Sequence, residues 1–137
     1  MKIIAIDIGS KNCGYAIYRD YVGTNPYFKS GYVGVEKLLD VLPNMDIETI
    51  VLEKFICQRI LNKSYISTIE FIGAVKYIAN RKFWHIVEQS PQIKKFFDNK
   101  KLKQLDLYKR NGHERDAIRH LLYYLKFKKG KEMKTNV

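Results

Sequence analysis

The chain of 137 residues is predicted to form one α/β domain, in which helices cover a mixed sheet of about five strands. Two observations predict this class. Short apolar runs of strand length come first, and strands then alternate with stretches of helical periodicity. The length suits one buried core, and neither an internal repeat nor a linker divides residues 1–137. Residues 128–137 are expected to form a frayed basic tail.

The first part of the chain contains four predicted strands and one short helix. The strands are segments of apolar and β-branched character at residues 2–8, 13–20, 27–33 and 49–53. The first is expected to be buried on both faces, because its apolar residues are nearly continuous. The turn-prone segment 23–26 separates the second strand from the third. A short helix over 36–42 ends at Pro43.

The second part contains a long helix, a fifth strand and a final helix. Residues 64–81 have two apolar stripes, which indicates burial from two sides. One side would meet the sheet, and the other would meet either a partner subunit or the same core. A fifth strand is predicted over 83–87. Ser90 before Pro91 is a helix-start signal, and the final helix is predicted from 113 to about 126.

The composition is strongly basic, with 25 Lys and Arg against 14 Asp and Glu and a formal net charge of +11. This balance predicts an anionic partner, most often nucleic acid and sometimes an anionic membrane surface. No run of about 18 apolar residues is present, so no membrane span is expected. The N-terminus has a strand pattern, which favours a cytoplasmic protein. Cys13 and Cys57 are interpreted as small buried side chains in a reducing compartment.

Acidic residues stand at the ends of predicted elements. Asp7 ends the first strand just before Gly9, Glu53 ends the fourth strand, and His113 and Asp116 share one face of the final helix. Carboxylates at the ends of buried strands are costly to desolvate unless a cation meets them. Gathered together they would also repel each other, which indicates a divalent metal ion. A metal site in a basic chain points to phosphodiester chemistry.

Each of these residues also has a purely structural interpretation. The strand-end acids could cap a turn or meet solvent, and His113 could be a residue of the helix entry. Glu114 is interpreted as a first-turn acid that the helix dipole stabilises, with its side chain turned away from the site. His85 is expected to be a satisfied core histidine, and His120 is expected at the surface or close to phosphate.

The ordered set Asp7-Ile8-Gly9, Glu53 and His113-x-x-Asp116-Ala117 resembles the RuvC-type Holliday junction resolvases over nearly the whole chain. The stretch from His85 to Pro91, followed by Lys94-Lys95, is similar to a strand and basic helix of that family. The resemblance implies an RNase H-like fold, a homodimer and Mg²⁺-dependent cutting of four-way DNA junctions. The short length resembles the compact viral branch, which would place the protein in the host-cell cytoplasm.

The resemblance also implies the site residues. Asp7, Glu53, Asp116 and His113 would be the catalytic residues and would hold two Mg²⁺ ions about 4 Å apart, with Mn²⁺ as a substitute. The expected DNA contacts are Phe55, Arg59, Lys63, Lys94, Lys95, Lys101 and Lys103. Bacterial members carry an aromatic residue where this chain has Ile56. Two rival functions are a related nuclease for other branched DNA or RNA–DNA hybrids, and a non-catalytic junction-binding module.

Overall fold

A computed structural model of the chain describes residues 1–22, 25–55 and 62–128, which form a mixed five-stranded sheet. The strands are β1 Lys2–Ile8, β2 Asn12–Val22, β3 Asn25–Gly34, β4 Thr49–Glu53 and β5 His85–Gln89. Their spatial order is β3-β2-β1-β4-β5. The β1–β2 and β2–β3 pairs are antiparallel, whereas β1–β4 and β4–β5 are parallel. The predicted α/β class with about five strands is therefore confirmed.

Three of the four α-helices in the described residues begin at side-chain caps that the sequence supplies. The α-helices are α1 Val35–Val41, α2 Lys63–Arg81, α3 Asn99–Gln104 and α4 Gly112–Tyr123. Asn62, Asp98 and Asn111 cap α2, α3 and α4, because each side chain accepts a hydrogen bond from a first-turn N–H. Short 3₁₀ helices cover Leu42–Asn44 and Pro91–Phe97, and a π-helical segment covers Tyr124–Lys128. The start signal at Ser90 thus opens a 3₁₀ helix.

The sheet is buried on both faces, and β1 lies at its centre. Ile4 and Ile6 of β1 belong to the core that α1 and α2 cover, whereas Ile3 and Ala5 belong to the core under α4. This confirms the predicted burial of both faces of the first strand. Because side chains alternate along a strand, the next odd position, Asp7, lies on the α4 side.

Helix α2 is covered on only one side within the described residues. Val75 and Ala79 are buried against the sheet. Ile66, Ile69 and Tyr77 are 47%, 41% and 66% exposed. Their spacing puts them on one helix face, so α2 carries an apolar face that the described residues leave open. In residues 1–22, 25–55 and 62–128, no helix has both the length and the apolar character of a membrane span.

The turn between α2 and β5 differs from the prediction for residues 83–87. Phe83 adopts a left-handed conformation, with φ of 58°, and is 94% exposed. The N–H of Trp84 donates to the carbonyl of Ala79, a bond that closes the end of α2 and delays the strand. Because β5 is an edge strand, its first residue, His85, is exposed. The expectation of a core histidine at that position was wrong.

The one cysteine that can be described is buried as predicted. Cys13 lies on β2, and its thiol lies 3.4 Å from the carbonyl oxygen of Val33. Burial, with a smaller contribution from the charge of Asp7, raises the pKa of Cys13 to about 12. The thiol is therefore protonated and behaves as a small apolar side chain. Cys57 and the predicted basic tail beyond Lys128 lie outside the described residues.

Candidate active site

Parallel pairing brings the two strand-end carboxylates together. Ile6 of β1 is in register with Leu52 of β4, so Asp7 and Glu53 follow at neighbouring strand ends. Both side chains lie on the α4 side of the sheet, where Asp7 contacts His113 and Glu53 contacts His120. The backbone register of β1 and β4 is therefore enough to place these two acids side by side.

Helix α4 starts directly against the sheet because Gly14 of β2 has no side chain. A Cβ atom on Gly14 would lie 2.0 Å from the carbonyl oxygen of His113 and 2.4 Å from the backbone nitrogen of Glu114. Only glycine permits this approach. As a result, the first two turns of α4 bring His113 and Asp116 to the end of β1.

His113 is the direct partner of Asp7. Its Nδ1 lies 2.8 Å from Oδ2 of Asp7, and its ring packs beside Gly9, where a Cβ atom would lie 3.1 Å from Nε2. Burial raises the pKa of Asp7. The hydrogen bond from His113 opposes that rise, and the charges of Asp116 and Glu53 add to it. The two charge contributions show that Asp116 and Glu53 lie close enough to repel Asp7.

Lys94 lies between two of these acids. Its ammonium nitrogen is 3.0 Å from Oε1 of Glu53 and 3.5 Å from Oδ2 of Asp116. Burial alone would lower the pKa of Lys94, but the hydrogen bond to Glu53 and the nearby carboxylates raise it overall. Lys94 was predicted only as a contact to the DNA backbone. The structure places it inside the acidic cluster, which we define as Asp7, Glu53 and Asp116.

Two further side chains of α4 hold the acidic cluster, and neither was predicted from the sequence. Arg119 donates through Nη1 to Oδ1 of Asp116 at 2.8 Å and through Nε to the carbonyl of Phe97 at 2.7 Å. His120 is fully buried and lies 3.2 Å from Oε1 of Glu53. The expectation that His120 lies at the surface was therefore wrong. The available signal was spacing, because His120 follows Asp116 by four residues and shares its helix face.

Glu114 lies away from the acidic cluster, as predicted, but it is not a solvated first-turn acid. The residue is buried, and its Oε2 accepts a hydrogen bond from Ser30 Oγ at 2.6 Å. Its backbone N–H donates to the capping side chain of Asn111. Glu114 therefore links α4 to β3 and helps to fix the N-terminus of the helix.

The donor set suits a hard divalent ion, although the side chains do not yet surround one point. Three carboxylates and one imidazole converge, and carboxylate oxygens are the ligands that Mg²⁺ prefers. Across residues 1–22, 25–55 and 62–128, no three His, Cys, Asp or Glu side chains form a ready-made metal site. Lys94 occupies the space between Glu53 and Asp116. The residues fit a metal ion chemically, provided that Lys94 moves aside.

The other predicted DNA contacts that the structure describes lie in cavities or at the surface. Phe55 lines a cavity of about 30 Å³ together with Asp7 and Glu53. Lys63 and Lys11 line a polar groove of about 250 Å³ beside the N-terminus of α2. Three further predicted contacts, Lys95, Lys101 and Lys103, are exposed lysines outside the acidic cluster. Arg59 and Ile56 lie outside the described residues.

No protein-family model and no curated protein sequence matches the chain. Solved structures do match it. Thermus thermophilus RuvC in complex with a Holliday junction substrate aligns with a TM-score of 0.71 and 18% identity, over 95% of this chain and 96% of that chain. A second structure of the same RuvC aligns with a TM-score of 0.67 and 15% identity, over 96% and 97%.

A viral protein gives a similar result. Fowlpox virus resolvase in complex with its substrate Holliday junction DNA aligns with a TM-score of 0.57 and 19% identity, over 89% of this chain and 97% of that chain. The alignments cover nearly the full length of both partners. The chain therefore has the RNase H-like fold of these resolvases, as its sequence motifs implied.

Proposed function

We propose that the protein is a metal-dependent endonuclease that resolves four-way DNA junctions by paired symmetric nicks. The observation that carries this proposal is the convergence of four side chains at the C-terminal ends of β1 and β4. They are Asp7, Glu53, Asp116 and His113. The surrounding chain has a net charge of +11, which suits a polyanionic substrate. The fold is also that of two proteins whose structures contain Holliday junction DNA.

The four site residues would hold Mg²⁺, with Mn²⁺ as a substitute. When bound, the ions supply Lewis-acid stabilisation of the attacking and leaving oxygens of the scissile phosphate. Asp7 is the most enclosed of the ligands, and its orientation is fixed by His113. Because Nδ1 of His113 faces Asp7, its Nε2 is left either to bind an ion or to transfer a proton.

Basic residues around the site would bind the DNA backbone and set affinity without reading sequence. Lys94 partly neutralises the acidic cluster, and the same ammonium group can pair with a phosphate of the DNA backbone beside that cluster. Lys63 and Lys11 flank the site on the α2 side. Phe55 beside the acids would contact the core of the junction.

The exposed lysines of α3 give a test of this backbone path. We expect Lys101→Ala with Lys103→Ala to weaken junction binding and to reduce the slope of log K against log salt by about 1.8, or about 0.9 for each phosphate that is no longer neutralised. The matched control is Lys29→Ala with Lys37→Ala, because these exposed lysines line a groove beside α1, away from the acidic cluster. Equal salt slopes for both double variants would exclude the α3 lysines as phosphate contacts.

We also propose a homodimer formed through the exposed apolar face of α2, consisting of Ile66, Ile69 and Tyr77. Exposed apolar residues at helical spacing are typical of helix–helix interfaces. A two-fold dimer would present two sites to a substrate with matching pseudo-symmetry, and it would account for paired nicks.

A charge on this face should separate the subunits. We expect Ile66→Asp with Tyr77→Asp to convert a dimer of about 32 kDa into a monomer of 16.2 kDa in sedimentation equilibrium. Paired nicking should become single nicking in the same variant. Phe83→Asp is the control, because Phe83 is 94% exposed but follows the end of α2. A wild-type monomer, or a variant that still dimerises, contradicts this interface.

A substrate panel separates the main proposal from its nearest rival. Equal amounts of a four-way junction, a replication fork, an RNA–DNA hybrid and a plain duplex are incubated with the protein and Mg²⁺. The proposal predicts cleavage of the junction well above that of the other three. Preference for the fork or the hybrid would instead identify a related nuclease with another substrate.

A further inference from the structure

His120 is a fully buried ionisable side chain on α4, with no exposed surface. It lies on the sheet-facing side of α4, under the acidic cluster, so it cannot touch DNA or a reacting phosphate. Buried polar side chains are kept where they make hydrogen bonds. The hydrogen-bond partners of His120 therefore indicate its role.

Both ring nitrogens meet residues at strand ends. Nε2 lies 3.2 Å from Oε1 of Glu53, and Nδ1 lies 2.7 Å from Oε1 of Gln89. Glu53 and Gln89 are paired in the parallel register of β4 and β5. The backbone N–H of Lys54 also donates to the carbonyl of Gln89 at 2.7 Å, which secures the same strand ends. One imidazole thus joins α4, β4 and β5 directly beneath the site.

The contact with Glu53 requires a hydrogen on Nε2, because an ionised carboxylate only accepts hydrogen bonds. As placed, the amide oxygen accepts from Nδ1, and the amide nitrogen is buried without a partner. If the amide is turned over, its nitrogen donates to Nδ1 and the ring carries its hydrogen on Nε2. With its hydrogen on Nε2, the ring in this second arrangement donates to the carboxylate of Glu53, and the buried amide nitrogen of Gln89 gains a partner.

This contact is the fixed support of Glu53. Its other partner, Lys94, is partly exposed and also pairs with Asp116, so a phosphate would compete for its ammonium group and a divalent ion would displace it from Glu53. Burial works to raise the pKa of Glu53, but the hydrogen bonds from His120 and Lys94 outweigh burial and lower it. Glu53 is consequently an ionised carboxylate, and the buried ring of His120 fixes the orientation of its side chain.

We propose that His120 is a positioning residue that fixes the Glu53 carboxylate for binding of a divalent ion, an inference that rests on the proposed function. Side chains that orient a metal ligand typically change metal affinity or activity by about 10- to 100-fold when they are removed. The effect should act through Glu53 alone, and it should not alter the binding of DNA.

Two substitutions separate this role from simple packing. In His120→Gln the amide nitrogen reaches the place of Nε2 and can still donate to Glu53. In His120→Asn the shorter amide reaches only the place of Nδ1, so it keeps the contact with Gln89 and loses Glu53. Both replace the ring with an amide, so damage to the core should be similar, and thermal unfolding of each variant measures that damage.

The readout is Mn²⁺ affinity without DNA, measured from the electron paramagnetic resonance signal of the free ion. We expect His120→Asn to weaken Mn²⁺ binding by about 10- to 100-fold and His120→Gln by much less. Junction affinity in EDTA should equal that of the wild type in both. In a Glu53→Gln background, His120→Asn should cause no further loss of Mn²⁺ affinity.

Equal Mn²⁺ affinities for the wild type and His120→Asn overturn the positioning role. So does an additional loss in the Glu53→Gln background, because it would show that His120 acts through packing. Failure of the wild type to bind Mn²⁺ while it still binds the junction is a different result. It overturns the proposed metal-dependent function itself, together with the role assigned to His120.

Discussion

Asp7→Asn should abolish junction cleavage while leaving junction binding close to that of the wild type. A metal ion contributes several kcal/mol of charge stabilisation to the transition state, so loss of a central ligand should slow cleavage by about 10³-fold or more. Asparagine keeps the shape of Asp7, and its oxygen can still accept the hydrogen bond from His113. Single-turnover cleavage and binding in EDTA measure the two effects separately.

Stability gives an independent readout of the same substitution. Burial and the neighbouring carboxylates raise the pKa of Asp7, so its charge is unfavourable in the metal-free protein. We therefore expect Asp7→Asn to unfold at the same temperature as the wild type or higher. Mg²⁺ should raise the melting temperature of the wild type but not that of the variant. A variant that unfolds earlier, or that still cuts, contradicts the assignment of Asp7.

Asp116→Asn and Glu53→Gln should also abolish cleavage, but their thermal stability should differ from that of Asp7→Asn. Asp116→Asn leaves Arg119 without its carboxylate partner, so this variant should unfold at a lower temperature than Asp7→Asn. Glu53→Gln weakens the contact with Lys94 in a similar way. Asp40→Asn, an exposed acid on α1, is the control that should cut and unfold like the wild type.

Gly14→Ala should lower both stability and cleavage, although Gly14 is not one of the site residues. Among the glycines for which a contact is known, Gly14 is the one where an added methyl group would meet its neighbours most closely. Its Cβ would lie 2.0 Å from the carbonyl oxygen of His113, a backbone atom that cannot move alone. The N-terminus of α4 must shift away from β2, and overpacking of this kind costs about 1 to 3 kcal/mol. A displacement near 1 Å at catalytic groups can slow a reaction about 10²-fold. Thermal unfolding and single-turnover cleavage measure both losses.

The control for this prediction lies on the same helix. A Cβ on Gly112 would meet only the Arg115 side chain, at 3.7 Å. Gly112→Ala should therefore preserve cleavage and raise stability by up to about 1 kcal/mol, because alanine favours the helix. If Gly14→Ala cuts and unfolds like Gly112→Ala, the close contact between α4 and β2 does not position the site.

The sequence predicted the parts of the site that depend on local pattern. Asp7 and Glu53 end apolar runs, and parallel pairing then brings such residues together regardless of loop conformation. His113 and Asp116 share a helix face by spacing alone. What could not be predicted was the depth of α4 on the sheet. That depth depends on Gly14, which lies about a hundred residues earlier in the chain.

The errors concern residues whose environment comes from distant segments. His120 is buried because Glu53 and Gln89 supply its hydrogen bonds, and nothing adjacent to it in sequence reveals them. His85 was assigned to the core from its apolar neighbours, but β5 is an edge strand and strand order cannot be read from one strand. Lys94 resembled its basic neighbours, yet the 3₁₀ helix turns it toward the acidic cluster.

The most direct test is to map the nicks on all four strands of a labelled four-way junction, with Mg²⁺ and with EDTA. The account predicts paired nicks at symmetric positions in two opposite strands with Mg²⁺, none in EDTA, and none with Asp7→Asn. Tight junction binding without cutting in either Mg²⁺ or Mn²⁺ would contradict it. Such a result would identify a junction-binding protein whose strand-end acids have a structural role only.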